Sequence, residues 1–332
     1  MFCMILRVFL VLFSFYVLNS NAVAQAIDNT ASFRIMTGDK YIRMHYENDY
    51  FTATDYYYTQ GINIEMVDPT FRKFPLTKLL IAPKDGIRQF GISIEHNGYT
   101  PTSIESEEIL YGDRPFAAAL MLKTFSMTGD SIRHYRITSS LSMGVIGPTA
   151  GGYEMQKSIH SWIHATEPLG WQHQIQNSLI INYEAGIEKN ILQAKKNFLM
   201  NGFANARAGT LNTKFSTGLI FMVGRLNSSI TSVFSKERRT LSQKERVNFH
   251  IYFQLMINAI VYDATLQGGL FNNNSPYTIS SAEIERITFQ GNYGAVFQYR
   301  SLFLEYFKTI ISKEFETGLY HRWGGIRVGM NL

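Results

Sequence analysis

Period-two alternation of apolar and polar residues recurs along nearly the whole chain, and few folds produce it. In 61–67, Ile62, Ile64 and Met66 share one face while Asn63 and Glu65 share the other. In 88–96, Phe90, Ile92 and Ile94 oppose Gln89, Ser93 and Glu95. In 178–188, Leu179, Ile181, Tyr183, Ala185 and Ile187 oppose Asn182, Glu184 and Glu188. Phe249, Ile251, Phe253, Leu255, Ile257 and Val261 oppose His250, Gln254 and Asn258. Residues that alternate in this way line the two faces of a β-strand. Several runs exceed the roughly 5–6 residues of a soluble strand. They reach the roughly 9–11 residues of a tilted membrane-spanning strand.

About twelve such segments are expected, near 41–48, 58–68, 87–97, 114–126, 133–146, 176–190, 201–211, 213–225, 247–264, 286–299, 301–313 and 322–332. An even number suits a bacterial outer-membrane barrel. The run 326–332 is itself strand-like, as in a barrel closed by its last strand. Aromatics make up 14% of the chain and charged residues only 17%, against roughly 25% charged in an average soluble protein. No segment after the N-terminus approaches 18 consecutive apolar residues. A chain of this kind embedded in lipid must satisfy its backbone groups in a closed barrel. The expected fold is therefore all-β: a transmembrane antiparallel β-barrel of about twelve strands. A soluble β-sandwich or lipocalin-like barrel is the alternative that alternation also allows.

Residues 1–18 carry one Arg, no acid and the apolar run Val8-Phe9-Leu10-Val11-Leu12-Phe13, and Ala22-Val23-Ala24 follows. This is the pattern of a secretory signal peptide, expected to span 1–24 and to be cut after Ala24. Cys3 precedes the apolar run and is the chain's single cysteine, so no disulfide is expected in the exported protein. No internal repeat or linker divides 25–332, which is expected to form one barrel domain in the outer membrane. The net charge of +5 mildly favours an anionic partner.

Two stretches, 68–87 and 226–246, are long for the periplasmic end, where turns are usually short. The second contains Ser235-Lys236-Glu237-Arg238-Arg239 and is expected to be a solvated loop. Between the fifth and sixth strands, 153–164 has helical spacing after Gly151-Gly152. There Gln156, His160 and His164 recur at i, i+4 and i+8 and share one face.

With the N-terminus periplasmic, Asn48-Asp49, Thr59, Asp113-Arg114, Gln156 and His160 all collect at the outer rim, although they are far apart in sequence. Each also has a plainer reading. Asn48-Asp49 suits a turn, Thr59 an ordinary strand position, Asp113-Arg114 an ion pair bracing a loop, and His160 a packed or solvated histidine. His160 and His164 lack the Glu of the H-E-x-x-H pattern, so zinc is not expected. No G-x-S-x-G elbow, P-loop, dinucleotide fingerprint or nucleic-acid stripe is present.

Five motifs in order carry a resemblance. They are Asn48-Asp49, Asp55-Tyr56-Tyr57-Tyr58-Thr59-Gln60-Gly61, Gly112-Asp113-Arg114-Pro115-Phe116-Ala117, the run from Gly147 to Gln156 followed by His160, and Gly170-Trp171-Gln172-His173-Gln174. Over roughly 45–190 the chain resembles the outer-membrane lipid A 3′-O-deacylases (LpxR type). The resemblance implies a twelve-stranded barrel that hydrolyses an acyl ester on lipid A of lipopolysaccharide in the outer leaflet, expected to act as a monomer. It implies a histidine base and calcium, with His160 as the histidine, Gln156 beside it, Asp49 holding the metal, Asn48 next to it and Thr59 lining the site. Where the family carries a basic residue between the third and fourth strands, this chain has Ser103-Ile104-Glu105-Ser106-Glu107-Glu108. Glu167 is the candidate for a family glutamate near His160. A non-enzymatic channel or binding barrel and an outer-membrane phospholipase are the other functions compatible with the barrel.

Overall fold

The computed structural model describes residues 28–36, 38–52, 54, 56–83, 86–130, 134–194, 197–226 and 247–332. The expected signal peptide with its cleavage site, Cys3, Asp55 and the charged loop at 235–239 lie outside the described residues. Twelve antiparallel strands close into a barrel in which every strand pairs with its sequence neighbours. They are β1 (Tyr41–Asn48), β2 (Tyr57–Val67), β3 (Ile87–Thr100), β4 (Ala117–Asp130), β5 (Tyr135–Ile146), β6 (Ser178–Ala194), β7 (Phe198–Gly209), β8 (Asn212–Arg225), β9 (Val247–Asp263), β10 (Ile287–Tyr299), β11 (Leu302–Ile311) and β12 (His321–Asn331). The seam is β1 on β12, from Tyr41↔Asn331 to Asn48↔Gly324. The helix is α1 (Gly152–Ile163), between β5 and β6 as its spacing predicts. A short second helix, α2 (Ala264–Gln267), follows β9.

The expected strand ends shift most at β4. It begins at Ala117 rather than 114, because Pro115 has no N–H to give the ladder and Arg114 turns into the interior. The Arg114 guanidinium pairs with Glu314, donates to Thr265 Oγ1 at 2.7 Å and lies over the Tyr99 ring. It is not the partner of the Asp113 carboxylate, whose Oδ2 caps Thr102 N at 2.8 Å.

Parity sorts the wall. Ile42, Met44, Ile64, Ile94, Leu122, Ile251 and Val328 point outward and are exposed, forming the apolar band that lipid covers. The inward set is buried and mixes polar residues with aromatics such as Phe125, Phe303, Phe307 and Trp323. Arg43 meets Glu65 at 2.6 Å, Lys123 meets Glu95 at 2.7 Å and Arg136 meets Glu188 at 3.2 Å. The segment before β1 enters the lumen, a feature with no periodicity to predict it. Its 3₁₀ turn, Ser32–Arg34, stacks Phe33 on Tyr252 at 3.8 Å. Arg34 reaches Glu305 at 3.1 Å, and Arg327 meets the same carboxylate at 3.0 Å.

The connection between β2 and β3 is not a free loop. It forms two 3₁₀ turns, Pro69–Lys73 and Pro75–Leu79, that lie against the outside of the wall. Tyr183 Oη donates to Leu79 O at 3.0 Å and accepts from Ile81 N at 2.9 Å, while Ser139 Oγ donates to Ile81 O at 2.8 Å. Outward-facing Thr124, Ser126 and Thr128 are buried there instead of meeting lipid.

Candidate active site

The outer rim of β1 to β4 carries polar residues on its outward side. Glu47 points into the lumen, so Asn48 points out. The chain then turns through a 3₁₀ segment, Asp49–Thr52, that folds back against β12. Asn48 Oδ1 accepts from Tyr50 N at 2.7 Å, the turn role the sequence allowed, while its Nδ2 donates to Thr59 O at 2.6 Å. At β2 the register slips between Tyr58 and Gln60. This bulge turns Thr59 to the outward side, where its hydroxyl shares a 2.6 Å hydrogen bond with Thr100. Asn48, Thr59 and Thr100 thus link β1, β2 and β3 on one outer surface.

The helix comes to the same surface from the other side. His96, in the outward row of β3, donates from Nε2 to Ala150 O at 3.0 Å and pins the chain just before α1. Gly152 then packs so closely that a side chain there would meet Ala118 Cβ at 2.5 Å and the Trp171 ring at 2.6 Å. Gln156 is 1% exposed. Trp171 Nε1 donates to it at 2.7 Å. An indole N–H can only donate, so the atom it meets is Oε1, and the amide nitrogen points the other way. That Nε2 is buried without a hydrogen-bond partner among the described residues.

His160 lies one turn further on and is half-buried. The helix stops at Ile163, and His164 adopts the left-handed conformation at φ 55. The chain curls back, placing Thr166 O 2.6 Å from His160 Nδ1. A carbonyl only accepts, so Nδ1 carries the proton and the neutral ring keeps its lone pair on Nε2. Glu167 forms an ion pair with Lys157 at 2.6 Å, and among the described residues none joins it to His160. The Lys157 ammonium, hydrogen-bonded to it, holds the Glu167 carboxyl below its usual range.

Two outer connections, β1–β2 and β5–β6, thus bring all five expected residues to one end. Contacts join Asn48 to Thr59, while Gln156 and His160 are fixed within the helix and the segment after it. Asp49 is 3% exposed. Its backbone carbonyl accepts from the hydroxyls of Thr52 at 2.8 Å and Thr54 at 3.3 Å, and Arg322 O accepts from both hydroxyls at 2.8 Å. Among the described residues no three or more His, Cys, Asp and Glu side chains gather into a metal cluster. Periodicity missed His96 and Thr100. The available signal was polar residues continuing the apolar parity of Phe90, Ile92 and Ile94.

A family model described as outer membrane protein LpxR matches residues 8–332. Among solved structures, LpxR from Salmonella typhimurium is similar with a TM-score of 0.71 and 19% identity, covering 88% of this chain and 100% of that one. The beta domain of the Bordetella autotransporter BrkA is similar at a TM-score of 0.43 and 8% identity, covering 89% of this chain and 99% of that one. No curated protein sequence matches the chain.

Proposed function

Because the chain belongs to the LpxR family of outer-membrane proteins, we propose that it hydrolyses an ester-linked acyl chain of lipid A, with His160 as the base that activates water. The observation that carries this reading is the Nδ1–H···O=C bond from His160 to Thr166, which leaves Nε2 as a proton acceptor at the outer rim. Nε2 takes a proton from water as the water oxygen attacks the ester carbonyl carbon. The carbonyl oxygen becomes negative, and the unpartnered Nε2–H of Gln156 is a donor for it. Collapse breaks the bond to the sugar oxygen, which receives the proton from His160. The products are a fatty acid and a free sugar hydroxyl. Asn48 and Thr59 shape the outer wall beside this chemistry.

The turn from Asn48 to Thr54 offers a carboxylate, an amide and hydroxyl oxygens, the donor type a hard cation takes. Calcium held by Asp49 with Asn48, Thr52 and Thr54 would supply positive charge to the developing oxyanion. With one carboxylate in the set, affinity falls at the weak end for calcium, on the order of 10⁻⁴–10⁻³ M. Activity is therefore expected to vanish in EDTA and to return only as free calcium approaches that range. Full activity in excess chelator removes calcium from the reading.

Mass spectrometry of lipid A from cells with and without the gene tests the activity itself. Loss of one acyl chain when the gene is present is expected, and an unchanged acyl number sinks it. Fatty acid released from phospholipid vesicles instead would reassign the substrate. Trp171→Phe removes the donor that orients Gln156. A fall in kcat of about 10-fold is expected, the size of one net hydrogen bond, with the barrel intact by heat-modifiable gel mobility.

A further inference from the structure

The acidic loop between β3 and β4 leaves unexplained how an anionic headgroup would be held. Glu107 is fixed on the helix side of the site, its carbonyl accepting from Gln172 Nε2 and His173 Nε2, both at 3.0 Å. The opposite side differs in charge. On β11, Tyr306, Lys308 and Ile310 continue the outward row, and on β12 Arg322, Gly324 and Ile326 do the same. The ladder places Lys308 opposite Gly324, and Gly324 opposite Asn48. Lys308 is thus two strand spacings from Asn48, about 10 Å along the wall.

Gly324 lies between them, and Phe51 packs over it. A side chain at Gly324 would meet Phe51 Cβ at 2.8 Å and Lys308 Cγ at 3.6 Å. Arg322 is the diagonal neighbour of Lys308 on the same face. Its backbone carbonyl holds the Thr52 and Thr54 hydroxyls beside Asp49. The Arg322 side chain is exposed, and neither cation has a carboxylate partner among the described residues. An unpaired cation on the outward wall is costly in hydrocarbon and tolerable only near the headgroup level.

We infer that Lys308 and Arg322 form the subsite that binds the phosphate of a phosphorylated sugar lipid, on the side of Asn48 away from the acidic loop. This rests on the hydrolase reading for its substrate. An Arg fork and a Lys ammonium flanking one surface suit a phosphomonoester. The geometry also orients the headgroup, anionic end toward β11–β12 and the acyl ester toward His160.

The experiment separates binding from turnover. Native mass spectrometry in micelles would follow retention of phosphorylated and phosphatase-treated lipid A by His160→Gln protein, with and without Lys308→Met/Arg322→Met, and with phosphatidylglycerol as competitor. Retention of the phosphorylated form is expected to fall about 10-fold in the double variant, as for loss of a charge-assisted contact. Retention of the treated form should not change, and Lys308→Arg should behave like Lys308. Equal retention of phosphorylated lipid A with and without the pair overturns the inference. Equal displacement by phosphatidylglycerol also overturns it, by making the pair a general anion contact. In turnover assays on His160-containing protein, the same pair should raise KM and spare kcat. Absence of hydrolysis with the binding difference intact counts against the hydrolase reading alone.

Discussion

His160→Gln protein should assemble as a normal barrel and lose lipid A deacylation by about 10²–10⁴-fold, the usual contribution of a general base. The size follows from how the ring is held. Thr166 O fixes the proton on Nδ1 at 2.6 Å, so every neutral ring presents Nε2 ready to accept. A glutamine amide can still donate to that carbonyl, but it offers no basic lone pair. The helix is secured at its first turn by Gly152, Gln156 and Trp171, so the substitution leaves the packing untouched. The measurement is kcat on purified protein in calcium-containing micelles, with gel mobility as the folding control. A variant within 10-fold of the parent would show that His160 is a structural histidine.

Glu305→Leu is expected to lower stability by about 3–5 kcal/mol, because it leaves buried charge uncompensated. The carboxylate is shared by Arg34 and Arg327, and all three side chains are at most 5% exposed. Tyr252 Oη also donates to it at 2.5 Å. Removing the anion abandons two guanidiniums inside the barrel and cuts the anchor of the segment before β1. Replacing all three charges with apolar residues of similar size should recover most of the loss, since the ion group repays little more than its own desolvation. Urea midpoints in micelles for the single and triple variants check this. A single variant within about 1 kcal/mol of the parent would mean that water reaches the cluster.

The strands were legible because each residue of a membrane barrel meets either lipid or lumen, and the sequence must alternate to suit. Ile62, Ile64 and Met66 could be assigned before their partners were known. The helix was legible from its own spacing. The segment that enters the lumen was not. Phe33 and Arg34 lie in a short irregular stretch, and the partner of Arg34 lies 271 positions away. The site was legible as a set of residues at one rim, through topology and resemblance. Its internal wiring was not. The bulge at Thr59, the carbonyl of Thr166 behind His160 and the indole behind Gln156 depend on backbone turns that no pattern of residue types encodes.

The contact between the β2–β3 connection and Tyr183 has a consequence for how the molecule is built. Ile81 N meets a phenol 102 positions further along the chain. That phenol stands on β6, three strands beyond β3. In a wall assembled one hairpin at a time, the contact has no counterpart until β4, β5 and β6 have joined. Such long-range pairings form late, after the intervening chain is ordered. A segment that is made early therefore docks late, and it seals the base of the wall like a strap fastened after the staves are in place.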